Sequence, residues 1–155
     1  VKKATGGRVS DMKNPEADHY KKKHPDESMP NPALSREIER RSAKGELPCA
    51  VAFEIARISQ VPPAEVGRDL DLLEIRISKC QLGLFGYRPE KRIVRPAENL
   101  SPELSEAIRK AAVDGRLSCT SAWEIARRLG FTRMAVASAC EALRIKISGC
   151  QLGAF

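Results

Sequence analysis

The chain is poor in aromatic residues: Phe, Trp and Tyr make up 5% of its 155 positions, with a single Trp. A core built from large rings is therefore excluded, and burial must come from aliphatic side chains. Histidine is scarcer still, with two residues, His19 and His24, both near the N-terminus. No Gly-rich phosphate loop follows a strand pattern and no carboxylates cluster at metal-ligand spacing, so an enzyme is not expected and no cofactor is implied. The 5 cysteines form no CxxC pair. An odd count without that spacing argues against a secreted disulfide framework and fits reduced thiols. No apolar run approaches the roughly 18 residues of a membrane span, and no signal-like apolar segment opens the chain. The expectation is a soluble, cytoplasmic protein with no membrane partner; because Val1 is not a start methionine, it is expected to be a processed product or a piece of a longer protein.

What the chain does have is enough apolar material for a core, 42%, and an excess of positive charge. Lys plus Arg number 27 against 20 Asp plus Glu, a formal charge of +7 with a pI near 9.4. Such a balance favours an anionic partner, nucleic acid first and an acidic protein or lipid surface after it.

An internal repeat organises the sequence. Sliding the chain by 70 residues places Asn31–Phe85 on Ser101–Phe155 without a gap, with 22 identities in 55 positions. Among them are Gly45/Gly115, Cys49/Cys119, Glu54-Ile55-Ala56-Arg57 on Glu124-Ile125-Ala126-Arg127, and Cys80-Gln81-Leu82-Gly83 on Cys150-Gln151-Leu152-Gly153. Two copies at this period make two paired modules rather than a solenoid. Residues 1–30, with Lys21-Lys22-Lys23 and scattered Gly and Pro, are expected to be a flexible basic tail. Residues 31–95 make the first module and 96–155 the second.

Caps and spacing place three helices in each module. Asn31-Pro32 and Ser101-Pro102 each supply a capping side chain followed by Pro in the first turn. Gly45 and Gly115 end the first helix, a second begins near Cys49 and Cys119, and Thr132 caps a third. The alternation Ile-x-Ile beyond it predicts a short strand.

The second and third helices, joined by a three-residue turn, meet the packing needs of a helix-turn-helix: small Ala126 at the crossing, Gly130 at the turn, apolar Phe131, Val136 and Leu143 beyond. The stretch Ala122-Trp123-Glu124-Ile125-Ala126-Arg127-Arg128-Leu129-Gly130-Phe131-Thr132-Arg133-Met134-Ala135-Val136 resembles the helix-turn-helix of bacterial and archaeal transcription regulators. In the first module Gln60 replaces the turn glycine, and a different turn geometry is expected there, because a left-handed Gln costs about 1–2 kcal/mol. Gln81–Phe85, Gly86–Lys91 and Arg92–Arg95 read as strand, turn and strand, like the wing of a winged-helix protein. The expected fold is thus mainly α, two tandem winged-helix or helix-turn-helix modules with a short β-hairpin wing.

The resemblance implies double-stranded DNA as partner and transcription regulation as function. Residues 104–155 hold 8 basic and 4 acidic residues, against 8 and 8 in 31–85, which makes the second module the expected reader. Its candidate contacts are Arg127, Arg128, Thr132, Arg133, Ser138, Arg144 and Lys146, types suited to phosphates and base edges. Arg88, Lys91 and Arg92 join them from the wing. The third helix of the first module carries Glu65, Asp69 and Asp71, which would repel phosphates. Structured RNA is the alternative partner, since tandem winged helices also occur in the selenocysteine-specific elongation factor, which these modules resemble at fold level. A protein-interaction or redox-sensing accessory module of a larger protein is the other alternative. The modules could imitate a two-fold dimer within one chain, and a homodimer stays open. Cys49 and Cys119 fall at helix N-termini, where the dipole lowers a thiol pKa, and Cys80 and Cys150 recur 31 residues on. Core packing is the favoured role for these four. A four-thiolate metal site is the weaker alternative, lacking the spacing of a known zinc motif.

Overall fold

A computed structural model of the chain describes residues 18–155. Most of the expected tail, residues 1–17, lies outside them. The described part is mainly helical with short strands. A short helix α1 (Asp18–Lys21) precedes α2 (Pro32–Arg41), β1 (Glu46–Pro48), α3 (Cys49–Ser59), α4 (Pro63–Leu72) and β2 (Arg76–Ser78). The same order then recurs as α5 (Pro102–Ala111), β3 (Arg116–Ser118), α6 (Cys119–Leu129), α7 (Arg133–Ala142) and β4 (Lys146–Ser148), every limit displaced by 70 residues.

The helix starts follow the capping chemistry. The Asn31 side chain accepts from the Ala33 and Leu34 amides, Ser101 from Leu104, and Thr132 from Ala135, satisfying donors that have no partner within the helix. Arg40-Arg41 and Arg109-Lys110 occupy the last turns of α2 and α5, where they face the negative end of the dipole. The α3–α4 turn differs from expectation. Gln60 is left-handed, with φ 56° and ψ 42°, as Gly130 is at φ 75° and ψ 24°. The same geometry forms because the Gln60 and Val61 amides both cap the end of α3, the latter on the Ala56 carbonyl at 3.0 Å, and these bonds offset the cost of the conformation.

The expected wing is not formed. Residues 79–101 hold no strand; the Ile93 and Val94 amides converge on the Gly83 carbonyl at 3.0 and 3.1 Å, and Cys80 donates to Phe85 across a turn. Instead, β1 pairs with β2 in parallel, Leu47 opposite Ile77, and β3 with β4, Leu117 opposite Ile147. A parallel pair needs a long crossover, which each helix pair supplies.

Two apolar clusters form, and each draws on both repeats. The first gathers Leu34, Ile38, Leu47, Ile55, Val66 and Leu70 of the first repeat around Leu152 of the second, with Cys150 and Ala154 packed against it. The second gathers Leu104, Ile108, Leu117, Ile125, Val136 and Cys140 around Cys80, Leu82 and Val94 of the first. The Cys-Gln-Leu-Gly segments are thus exchanged between repeats. Gly67 records how close this approach is: a Cβ there would lie 1.8 Å from the Leu152 carbonyl oxygen.

Residues 20–30 are not loose. His24 Nε2 lies 2.9 Å and Lys23 Nζ 3.6 Å from the Asp71 carboxylate, Lys23 donates to the Gly153 carbonyl, and Arg68 donates to that of Met29. The Gly, Pro and Lys content that predicts a flexible tail does not reveal these contacts, because the partners, Arg68, Asp71 and Gly153, are distant in sequence.

Leu82→Ala and Leu152→Ala are each expected to cost about 2–5 kcal/mol through the cavity left behind. Urea unfolding followed by circular dichroism should show one transition for the whole chain in both variants, not a separate loss of one repeat. Gly67→Ala should destabilise the chain comparably. The equivalent position already holds a buried Ala137, so Ala137→Gly is the milder, matched control.

Candidate nucleic-acid interface

The α6–α7 pair is fixed by Ala126, 3% exposed at the crossing, and by the Phe131 amide bonded to the Ala126 carbonyl at 3.0 Å. Around the turn, Arg127, Arg128 and Thr132 are exposed. Neither arginine has a hydrogen-bond or ion-pair partner among the described residues. Arg127 rims an open hollow whose wall includes Gln81, Trp123, Glu124, Thr132 and Arg133, and Arg128 lies outside that wall.

Arg133 is engaged elsewhere. Its guanidinium lies over the Trp123 ring, 3.5 Å from the centroid, and donates to Gln81 Oε1 at 3.0 Å. Trp123 in turn meets Phe53, its counterpart in the first repeat, at 4.2 Å between centroids. A sandwich of ring, ring and guanidinium therefore joins the repeats and holds the start of α7. Sequence spacing gave no sign of it, since Gln81 lies 52 residues from Arg133.

The remaining candidates are scattered. Ser138 is half-buried and its carbonyl accepts from Ala97 of the connecting segment, so that segment runs along α7. Arg144 takes a left-handed backbone, φ 57°, just past α7. It follows the C-terminal end of α7, a helix about 15 Å long at 1.5 Å per residue, whereas Arg133 begins it. Lys146 lies in β4 beside a separate cavity, with Arg92. Arg88 and Arg92 form ion pairs with Glu46 and Glu141, clamping the connecting segment to each repeat, and Lys91 is exposed between them.

In the first repeat the carboxylates of α4 do not form a repelling face. Asp69 is 1% exposed and accepts from the Asn31 amide at 2.9 Å and from Arg68, while Asp71 holds Lys23 and His24. Only Glu65 is exposed. The helix period did not separate them, because Asp69 and Asp71 face elements supplied by the arm and by α2. Burial pushes the Asp69 carboxyl above its ordinary value, against the hydrogen bond from the Asn31 amide and the charge of Arg68.

Burial also decides the thiols. It pushes Cys49 and Cys140 up to about 12 and raises Cys80 and Cys119 as well. Any lowering by a helix dipole at Cys49 and Cys119 is outweighed, and all five cysteines are free. Among the described residues no group of three or more His, Cys, Asp or Glu is arranged to hold a metal ion. No helix of the described residues is long and apolar enough to cross a membrane.

Neither a protein-family model, nor a curated protein, nor a solved structure matches this chain.

Two outcomes are expected. Asp69 titrates above 3.8 in the folded chain and near that value unfolded, so between the two the native state binds more protons and stability falls as pH rises. Asp69→Asn, which keeps an acceptor for Asn31, should flatten that fall in urea titrations across the acid range; an unchanged slope would show that another group causes it. Alkylation of the native chain by iodoacetamide should modify half-exposed Cys150 first and leave buried Cys49, Cys80, Cys119 and Cys140 until unfolding, as peptide mass mapping would report.

Proposed function

We propose that the chain binds double-stranded DNA through the α6–α7 helix-turn-helix and acts in transcription regulation. The observation that carries this is the exposed, unpartnered pair Arg127-Arg128 beside Thr132 at the turn between the two helices. Two guanidinium groups in the last turn of α6 and a hydroxyl at the start of α7 suit phosphate oxygens, and the N-terminal end of α7 adds its own positive dipole. The overall charge of +7 acts in the same direction at longer range.

In this reading Arg127, Arg128 and Thr132 touch the backbone. Arg133 reaches a base only by leaving Trp123 and Gln81, and in the free chain it serves to hold α7 in place. The tandem winged-helix form of the proposal does not rest on a hairpin: the candidate interface is the helix pair alone, and Arg88, Arg92 and Lys146 are left out of it.

Titration of duplex DNA, structured RNA and single strands across salt tests the proposal. The wild-type chain should prefer duplex DNA. The double variant Arg127→Ala, Arg128→Ala should weaken all duplexes alike and flatten the slope of log affinity on log salt by about 0.9 for each phosphate no longer neutralised. Duplex affinity and salt slope equal to wild type would remove these residues from the interface. Preference for structured RNA would transfer the same surface to the alternative partner.

A further inference from the structure

A helix that reads sequence presents an open face to the major groove, with donors or acceptors for base edges on it. Every residue of α7, from Arg133 to Ala142, is buried or half-buried. Val136, Ala137, Ala139 and Cys140 belong to the second core. Positions 134, 138 and 141 share another face at about 3.6 residues per turn, and the connecting segment runs along it. A Cβ at Gly83 would lie 3.3 Å from the end of the Met134 side chain, the Ser138 carbonyl accepts from the Ala97 amide at 3.0 Å, and the Glu141 carboxylate is paired with Arg92. Arg133 is held on Trp123 and Gln81. What remains is a stripe of Ala135 and Ala142, neither with a hydrogen-bonding side chain.

This cover is a property of the repeat. Asp71 of α4 is the equivalent of Glu141, and Lys23 of the arm meets it as Arg92 meets Glu141. Arg68, the equivalent of Ser138, donates to the Met29 carbonyl of the arm. In both repeats the chain that precedes the first helix therefore runs along the third. In the second repeat it is also fastened by Val94, 6% exposed within the second core. Lifting the segment from α7 would return that apolar surface to water.

We propose that duplex contact at the α6–α7 turn is independent of base sequence: Arg127, Arg128 and Thr132 hold phosphate oxygens, Arg133 stays on Trp123, and α7 remains outside the major groove. The inference rests on the DNA-binding reading and adds its substrate class, duplex DNA of any sequence. Phosphate contacts position a protein but carry no sequence information. The two alanines left open on α7 offer a base edge only apolar contact with a thymine methyl.

Anisotropy titrations with unrelated duplexes of equal length, at low and at physiological salt, make the test. One further duplex carries glucosylated hydroxymethylcytosine, whose sugars fill the major groove. Wild-type affinities should agree within about threefold across sequences, and the glucosylated duplex should bind within about twofold of its plain counterpart, where a base-reading helix loses about tenfold or more for each bidentate contact. Selection from a randomised duplex pool should enrich no sequence. Arg92→Ala, which leaves Glu141 unpaired, should keep this tolerance, because Val94 still fastens the segment. Near-UV circular dichroism checks that the variant is native, with Glu141→Gln replacing it if it is not. A duplex bound about tenfold or more tighter than the rest at equal salt, a comparable loss on glucosylation, or a sequence preference that arises in Arg92→Ala would overturn the proposal and leave the DNA-binding reading in place. Failure of the wild-type chain to bind any duplex would instead remove that reading, and this inference with it.

Discussion

Leu82 and Leu152 set the organisation of the molecule. Each is carried by one repeat and buried in the core of the other, with 0% and 2% of its surface exposed. Full burial of a Leu side chain contributes about 1.5–3 kcal/mol, so the two together are comparable with much of the net stability of a domain this size, about 5–15 kcal/mol. The ion pairs that hold the connecting segment, Arg88–Glu46 and Arg92–Glu141, are exposed and contribute about 0–1 kcal/mol each. Burial decides the arrangement, and the ion pairs adjust the path of the segment between.

The same exchange explains why no hairpin follows α4. Residues after β2 must reach the second core, where Cys80, Leu82 and Val94 are buried, and a chain committed to that path has no return strand to offer. The Gly83 carbonyl instead takes both the Ile93 and Val94 amides. Sheet formation is displaced to the parallel pairs on either side of each helix pair. A cavity lies where the repeats meet: Ile77 of β2 and Ile147 of β4 both line it, and the aromatic rings of Phe85 and Phe155, also in its wall, meet edge to face.

Helices were legible in the sequence where a side chain caps a backbone donor, as Asn31, Ser101 and Thr132 do, and where Gly130 ends α6. The repeat was legible because 22 of its 55 positions are identical. Strand β1 was not, since three residues are too few to carry an alternation. Periodicity also reports that Leu82 is buried but not which repeat buries it, because both repeats offer the same apolar surroundings. In the candidate site, Arg127, Arg128 and Thr132 could be read from the turn, whereas the stacking of Arg133 on Trp123 needed the contact between repeats.

The two copies have diverged in what their third helices hold. Positions 69 and 71 of α4 are buried carboxylates that fasten α2 and the arm, while position 139 of α7 is Ala. Position 58 is an exposed Ile where position 128 is Arg. One copy carries polar groups inward for structure and the other carries cations outward. Yet the outward surface is not a property of the second copy alone. Arg133 begins α7, and it is held by Trp123, which Phe53 backs, and by Gln81; Phe53 and Gln81 both belong to the first repeat. The first repeat therefore sets the position of the helix start around which the exposed cations of the second are gathered.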